Sequence, residues 1–302
     1  MKIHGTGEIA RGFYALGVAA VPVYLLDGPR PVLFDAGFAA LGPLYVKEIK
    51  AVLGGRPLTR LFLTHAHWDH LGAAGYYKSV WPNMIVAGPS AIKETLRRPK
   101  ALELVESLNR KAARDLEHWG VSLDSPCPFR SFVLDLPLNP PERIELSKDC
   151  HVEAVPTPGH TREHTSYWIP ERRILIASEA VGCEHGGRII TEFLVDFDAY
   201  LNSLKNLIRL KPEILCLAHE SIFTGPDAMD YLKRSLREAE LFADEVEKML
   251  METGGDVEET VTRIKALQWE DLPYPKQPEA AYLINTRARV RHIRARLKRK
   301  RR

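Results

Sequence analysis

The sequence has no run of about 18 or more uncharged apolar residues, which excludes a membrane-spanning helix. It is poor in cysteine: Cys127, Cys150, Cys183 and Cys216 are scattered, without CxxC spacing. That pattern excludes a disulfide framework and leads us to expect reduced thiols in a cytoplasmic protein. The opening residues, MKIHGTGEIARGFY, lack an apolar stretch of signal-peptide length. No internal repeat of solenoid period occurs. What remains is a chain of 302 residues, 45% hydrophobic and 27% charged, enough for one large globular domain with an appendage.

Acidic residues are missing from one place in particular. Residues 287–302 (RARVRHIRARLKRKRR) hold ten Lys/Arg and no Asp/Glu, so the net charge of +3 conceals a body of −7 carrying a tail of +10. Such a tail can meet nucleic acid, an anionic cofactor or the acidic face of its own body. It also suits the C-terminal end of a helix, whose dipole favours cations.

Short β-like runs open the chain. VAAVPVYLLDG (18–28) and PVLFDAG (31–37) read as strands, LYVKEIKAVLG (44–54) as a helix ended by glycine, and RLFLTH (60–65) as a buried strand. A helix at 71–82, a strand at 84–88 and a helical stretch from 89 to about 120 follow, then a proline-rich loop at 121–141 with room for one short strand. RIEL (143–146), HVEAVPT (151–157), HTSYWI (164–169) and RILIAS (173–178) form a second strand-rich block. A helix at 198–210 and the strand EILCLAH (213–219) complete it. The order fits an α/β fold of two face-packed sheets with helices outside. From 226 the pattern is helical: Met229, Leu232, Leu236, Ala239, Ala243, Val246 and Leu250 recur at spacings of three and four. Gly254 and Gly255 end that helix; another is expected over 256–267 and a last from 279. We therefore divide the chain into a body (1–225) and a helical extension (226–302).

The chemistry concentrates at Thr64-His65-Ala66-His67-Trp68-Asp69-His70, where an apolar strand runs out. Three imidazoles and a carboxylate so close together have metal-ligand character. On extended backbone His65 and His67 point the same way, and Asp69 and His70 lie in the turn beyond. Three further strand ends each deliver one possible ligand: Pro158-Gly159-His160, Ser178-Glu179 and Ala218-His219.

With these residues the sequence resembles the metallo-β-lactamase superfamily over roughly 15–225, through its HxHxDH motif. The resemblance implies an αββα sandwich of two mixed sheets, with the helical extension covering the cleft. It implies His65, His67 and His160 on one metal ion and Asp69, His70 and His219 on a second, with Glu179 where the family has a bridging Asp. Glu179 either bridges from a strand end set further back or binds one ion only; Glu184 is the alternative acid. Asp35 in LFDAG corresponds to the family's early Asp and is expected, like His164, to orient a ligand. The implied cofactors are two divalent ions, zinc first, although these ligand types suit iron and manganese as well.

The expected activity is metal-dependent hydrolysis of an ester or thioester, with Asp69 as a catalytic group. His67, where flavodiiron oxygen reductases carry Glu, argues against that subtype. The layout, with C-terminal helices and a SEAVG segment, is most similar to the quinolone-signal response thioesterases, which implies a small-molecule substrate of acyl-coenzyme-A type. The tail arginines would then attract its phosphates. Tyr76, Tyr77, Phe193, Leu194, Tyr282 and Ile284 are the expected pocket walls. Two other readings stand beside this one: a mononuclear iron dioxygenase of the same fold, and a regulatory protein acting through partners with an incidental metal site. No membrane partner is expected, nucleic acid stays open through the tail, and a homodimer would form through the C-terminal helices. His4, His118, His151 and His185 have no partner pattern and are assigned no role.

Overall fold

In the computed structural model the described residues are 1–116, 121, 126–273, 276–277 and 279–300. Parts of the expected helical run to 120, of the proline-rich loop, of the segment before the last helix and the end of the tail lie outside them.

Strand β1 (Lys2–His4) belongs to the second sheet, although it opens the chain. The first sheet follows in sequence order: β2 (Gly7–Ala10), β3 (Phe13–Val18), β4 (Val21–Leu26), β5 (Val32–Phe34), β6 (Arg60–Phe62), β7 (Ile85–Pro89) and β8 (Leu136–Leu138). Its first strands are an antiparallel meander, and β5 to β8 run parallel. Between them lie helices α1 (Gly42–Leu53), α2 (Trp68–Leu71), α3 (Ala74–Val80), α4 (Ala91–Leu96) and α5 (Pro99–Asp115). The second sheet uses β9 (Glu142–Ser147), β10 (Cys150–Pro156), β11 (Thr165–Ile169) and β12 (Ile174–Ile176). A small hairpin, β13 (Cys183–His185) and β14 (Arg188–Ile190), stands apart from both sheets. Helix α6 (Phe197–Leu210) leads to β15 (Ile214–Cys216) and β16 (Ser221–Thr224), giving the order β1-β16-β15-β12-β11-β10-β9. Three helices close the chain: α7 (Pro226–Glu252), α8 (Val257–Gln268) and α9 (Glu279–Lys300).

Burial defines the layers. Phe13, Tyr24, Phe34 and Phe62 of the first sheet meet Val152, Tyr167, Ile176 and Ile222 of the second in the central core. The outer face of the first sheet packs Leu25, Leu33 and Leu61 under α1 and α3 through Tyr45, Ile49 and Tyr77. The outer face of the second packs Leu175 and Leu215 under α6, α7 and α9 through Leu204, Tyr231, Val246 and Ile293. This is the expected αββα sandwich of two mixed sheets, with the C-terminal helices present. None of the described helices is long and apolar enough to cross a membrane, and all four cysteines are free.

The amphipathic pattern from 226 is one helix, ended at Gly254 and Gly255 as expected. On α9 the apolar stripe faces inward, with Val290 and Ile293 buried and Leu283 and Leu297 packed beside them. Part of the basic tail is paired with acids of the body and of the extension itself. Arg287 pairs with Glu258, Arg296 and Arg299 with Asp198, and Arg296 and Lys300 with Glu247. The expected strand 18–28 divides in two, because Ala19 and Ala20 turn the chain between β3 and β4. The expected helix 71–82 is the shorter α3, set off at Gly72 and Ala73 from α2, which begins before it at Trp68.

Candidate metal centre

Parallel pairing sets the site. Phe34 sits level with Phe62 in β5 and β6, and Ile176 level with Cys216 in β12 and β15. The ends of these strands therefore release Asp35, His65, Glu179 and His219 at one end of the sandwich. Two buried tyrosines brace these exits: Tyr167 donates to the Leu63 carbonyl at 2.7 Å and Tyr24 to the Leu217 carbonyl at 2.6 Å. Three non-glycine residues at the exits have left-handed backbone: Asp35 (φ 57°), Ser178 (φ 52°) and Glu220 (φ 60°). Such conformations cost about 1–3 kcal/mol each and collect at functional sites. Gly159 must be glycine on two grounds. Its φ is 137°, and a Cβ there would lie 2.5 Å from Cα of Tyr200 in α6. Its carbonyl accepts from the amides of Leu194, Val195 and Asp196, which fixes the loop that carries His160.

Three overlapping sets of donor atoms converge there: His65, His67 and His160; Asp69, His70, Glu179 and His219; and His65, His164 and Glu179. Glu179 spans the last two. Its Oε1 lies 2.8 Å from His70 Nε2 and 3.4 Å from His219 Nε2. Its Oε2 accepts from Ser178 Oγ at 2.5 Å and faces Nε2 of His65 and of His164, each at 3.9 Å. Asp69 Oδ2 lies 3.7 Å from His219 Nε2 and 3.9 Å from His70 Nε2. His67, Asp69 and His219 are partly exposed, whereas His65, His70, His160, His164 and Glu179 are buried. The buried groups make a floor and the exposed ones a mouth.

The outer ring nitrogens are tied down. Asp35 accepts from His70 Nδ1 at 2.8 Å and from the Thr64 amide at 2.8 Å. Thr64 Oγ1 donates to the same carboxylate at 3.0 Å, so it accepts from His65 Nδ1 at 2.9 Å. His160 Nδ1 donates to the Glu192 carbonyl at 2.7 Å and His219 Nδ1 to the Ala20 carbonyl at 2.7 Å. Metal-binding histidines characteristically donate their far N–H in this way. The inward nitrogens of His65 and His164 are buried and have no hydrogen-bond partner among the described residues. Bare lone pairs facing a carboxylate fit a cation, so the donor set suits divalent metal ions.

Electrostatics divides the donors. Burial holds His65, His67 and His160 below the ordinary imidazole value, and well below it for His65 and His160. Burial also opposes charge on His70, but Glu179, Asp35 and Asp69 outweigh it and hold that histidine well above its ordinary value. His219 is raised to about 9 against burial, by the hydrogen bond and charge of Glu179 and by Asp69. Burial would raise Glu179, yet His70, His65 and the neighbouring imidazoles hold it well below the carboxylate range.

Residues 16–219 match the sequence model of the metallo-β-lactamase superfamily. The chain belongs to that superfamily. Family membership and the donor clusters support an enzyme of metal-dependent hydrolysis. The chain is 27% identical over 252 residues to a probable metallo-hydrolase of Bacillus subtilis, covering 72% of this chain and 87% of that protein. It is 29% identical over 167 residues to a hydroxyacylglutathione hydrolase of Bartonella tribocorum, covering 54% of this chain and 49% of that protein, about half its length. A crystal structure of a metallo-β-lactamase family protein from Thermus thermophilus superposes with a TM-score of 0.64 at 18% identity, over 96% of this chain and 95% of that one. At that identity the likeness is one of fold.

The seven expected superfamily donors are brought together, with Asp35 behind them. Glu184 is elsewhere: it pairs with Lys2 and accepts from Ser221 Oγ, away from the donor sets. Of the expected pocket walls, Tyr77, Phe193 and Tyr282 need correction. Tyr77 is fully buried under the first sheet, where its hydroxyl donates to the Ala36 carbonyl and steadies the Asp35 turn from behind. Phe193 is fully buried among Phe197, Tyr200 and Phe242. Tyr76 packs on Gly42 with the Arg130 guanidinium over its ring, and Ile284 is 64% exposed to solvent. Leu194 is half-buried in the loop that caps the Gly159 carbonyl. Tyr282 is buried between Trp269 and the guanidinium of Arg289.

Sequence reasoning missed Glu192, whose carboxyl is raised to about 7, chiefly by burial and by Glu179 and Asp69, against the pull of Arg289. An acid inside the apolar run IITEFL was the available signal. It also passed over His185, which donates to Glu220, the neighbour of His219, and to the Pro273 carbonyl before α9.

Proposed function

We propose that this chain is a binuclear metal-dependent hydrolase acting on an ester or thioester, with zinc as its ions. One observation carries the reading: the Glu179 carboxylate turns one oxygen to the His70–His219 side and the other to the His65 side. A side chain in that pose would contribute an oxygen to each of the two donor groups, as the family's Asp would. His65, His67 and His160 would hold one ion, and Asp69, His70 and His219 the other. When bound, such ions supply a water activated near neutral pH and polarise the acyl oxygen.

The protein's own groups supply the remaining functions. Asp69 at the mouth can orient the attacking water and accept its proton, since its Oδ2 reaches the space between His70 and His219. The buried floor excludes bulk water, which strengthens every charge interaction above it. Ester and thioester bonds need no more than this. The hydroxyacylglutathione hydrolase relative favours the thioester arm. An acyl-coenzyme-A substrate finds less support, because Arg287, Arg296, Arg299 and Lys300 are already paired with the carboxylates of Glu258, Asp198 and Glu247.

The test is a panel of aryl esters and acyl thioesters given to metal-depleted and metal-restored protein, with oxygen uptake followed in parallel. Hydrolysis that returns with metal and is absent from His67→Ala supports the proposal. Restored protein that leaves both substrate classes intact, or that consumes oxygen with a single bound iron, contradicts it.

A further inference from the structure

His164 lies outside the seven donors that the superfamily pattern names, and the sequence alone gave it only an orienting part. Its surroundings match those of the donors. It is 1% exposed, and its ring meets that of His65 at 4.9 Å and that of His160 at 5.9 Å. A chain of hydroxyls fixes where its proton sits. Ser166 Oγ donates to the Ala177 carbonyl at 3.3 Å, because a carbonyl cannot donate. Thr157 Oγ1 then directs its hydrogen to Ser166 Oγ at 2.9 Å or to the His164 carbonyl at 3.5 Å, and so accepts from His164 Nδ1 at 2.9 Å. The far nitrogen, Nε2, is left with a bare lone pair.

The same logic applies to His65, whose Nδ1 hydrogen goes to Thr64 Oγ1 because that hydroxyl donates to Asp35. Two imidazole lone pairs and Glu179 Oε2 therefore face one another, with each nitrogen 3.9 Å from the oxygen. Both nitrogens are buried without a hydrogen-bond partner among the described residues. Buried acceptors left without a donor are destabilising, and acceptors that converge repel in addition. A divalent cation removes both penalties.

We propose that His164 Nε2 is a direct metal ligand, grouped with His65 and with Glu179 Oε2, and that it belongs with the replacement of Asp by Glu at the bridging position. The longer arm carries Oε2 down to His164, where Ser178 Oγ holds it. This inference rests on the metal-centre reading given above and adds an eighth donor to it.

The experiment is a cobalt(II) titration of the metal-free full chain, followed by visible absorption and by competition with a chromophoric chelator. Wild type, His164→Ala, His164→Asn and Thr157→Val are compared, with far-ultraviolet dichroism to confirm that each variant is folded. For His164→Ala and His164→Asn we expect one of two cobalt equivalents to weaken by tenfold to a hundredfold or more, about the range seen when even the supporting shell of a metal site is removed. The visible bands should lose intensity or shift as a nitrogen donor is lost. Thr157→Val keeps the ligand and should show the smaller change. Wild-type affinity and an unchanged spectrum in both folded His164 variants would overturn the proposal while leaving the metal centre standing. Wild-type protein that takes up no cobalt would overturn both.

Discussion

The two halves of the site are built from similar residues and behave differently. His65, His67 and His160 form a trio in which burial holds every imidazole below its ordinary value. His70 and His219 stand among Asp69, Glu179 and Asp35, and the acids hold them protonated beyond their ordinary range. A neutral imidazole offers its lone pair at once, while a protonated one must first give up its proton to the metal. The carboxylates which make the second half attractive to a cation also load it with competing protons. The first half should fill at lower pH, and the second only as the pH rises.

Removing a member of the neutral trio strikes the comparison hardest. His67→Ala should lower hydrolysis on the order of a thousandfold, since several kcal/mol of charge stabilisation go with the ion, and turnover of any substrate found above measures it. The proton loading can be read without a substrate, in the metal-free protein. The folded value for His219, about 9, lies above the ordinary 6.5. Its protonated ring therefore stabilises the metal-free fold fully below about pH 6.5, and that contribution is lost as the pH climbs through about 9. Melting temperatures of wild type and His219→Gln should accordingly differ most at pH 6 and converge above pH 9; a gap that widened with pH would contradict the assignment. Asp35→Asn takes the acceptor from His70 and weakens the Thr64–His65 relay. It should cost about 10–100-fold in metal affinity, more in the acid-rich half, by chelator competition. The smallest effects sharpen the comparison further. Tyr24→Phe and Tyr167→Phe each remove one buried hydrogen bond, worth about 1 kcal/mol in denaturant unfolding. The first should loosen the His219 side and the second the His65 side, because their hydroxyls hold Leu217 and Leu63 respectively.

Much of this arrangement was legible in the sequence, for a physical reason. Apolar strands that end in a polar ligand leave a local trace, so the exits at His65, Glu179 and His219 could be read one at a time, and the heptad-like spacing of α7 marked the extension. The pairings that assemble the site leave no such trace. β1 finds β16 from the far end of the chain, and the hairpin of β13 and β14 is built of three-residue strands too short to show alternation. Tyr77 and Phe193 were read as walls because aromatic residues near a motif look available. Their faces turn instead into the two outer cores. Tyr24 and Tyr167 look like ordinary strand residues, and only the packed sheets show that their hydroxyls brace the ligand loops. His164 was visible as a residue, but the direction of its lone pair depends on three hydroxyl contacts that no spacing encodes.

The central claim is that two cations share this site through Glu179. Elemental analysis of protein purified without added metal, beside His67→Ala, tests it most directly. Two divalent equivalents per chain are expected in the wild type, lost or halved in the variant. No bound metal in either protein would contradict it.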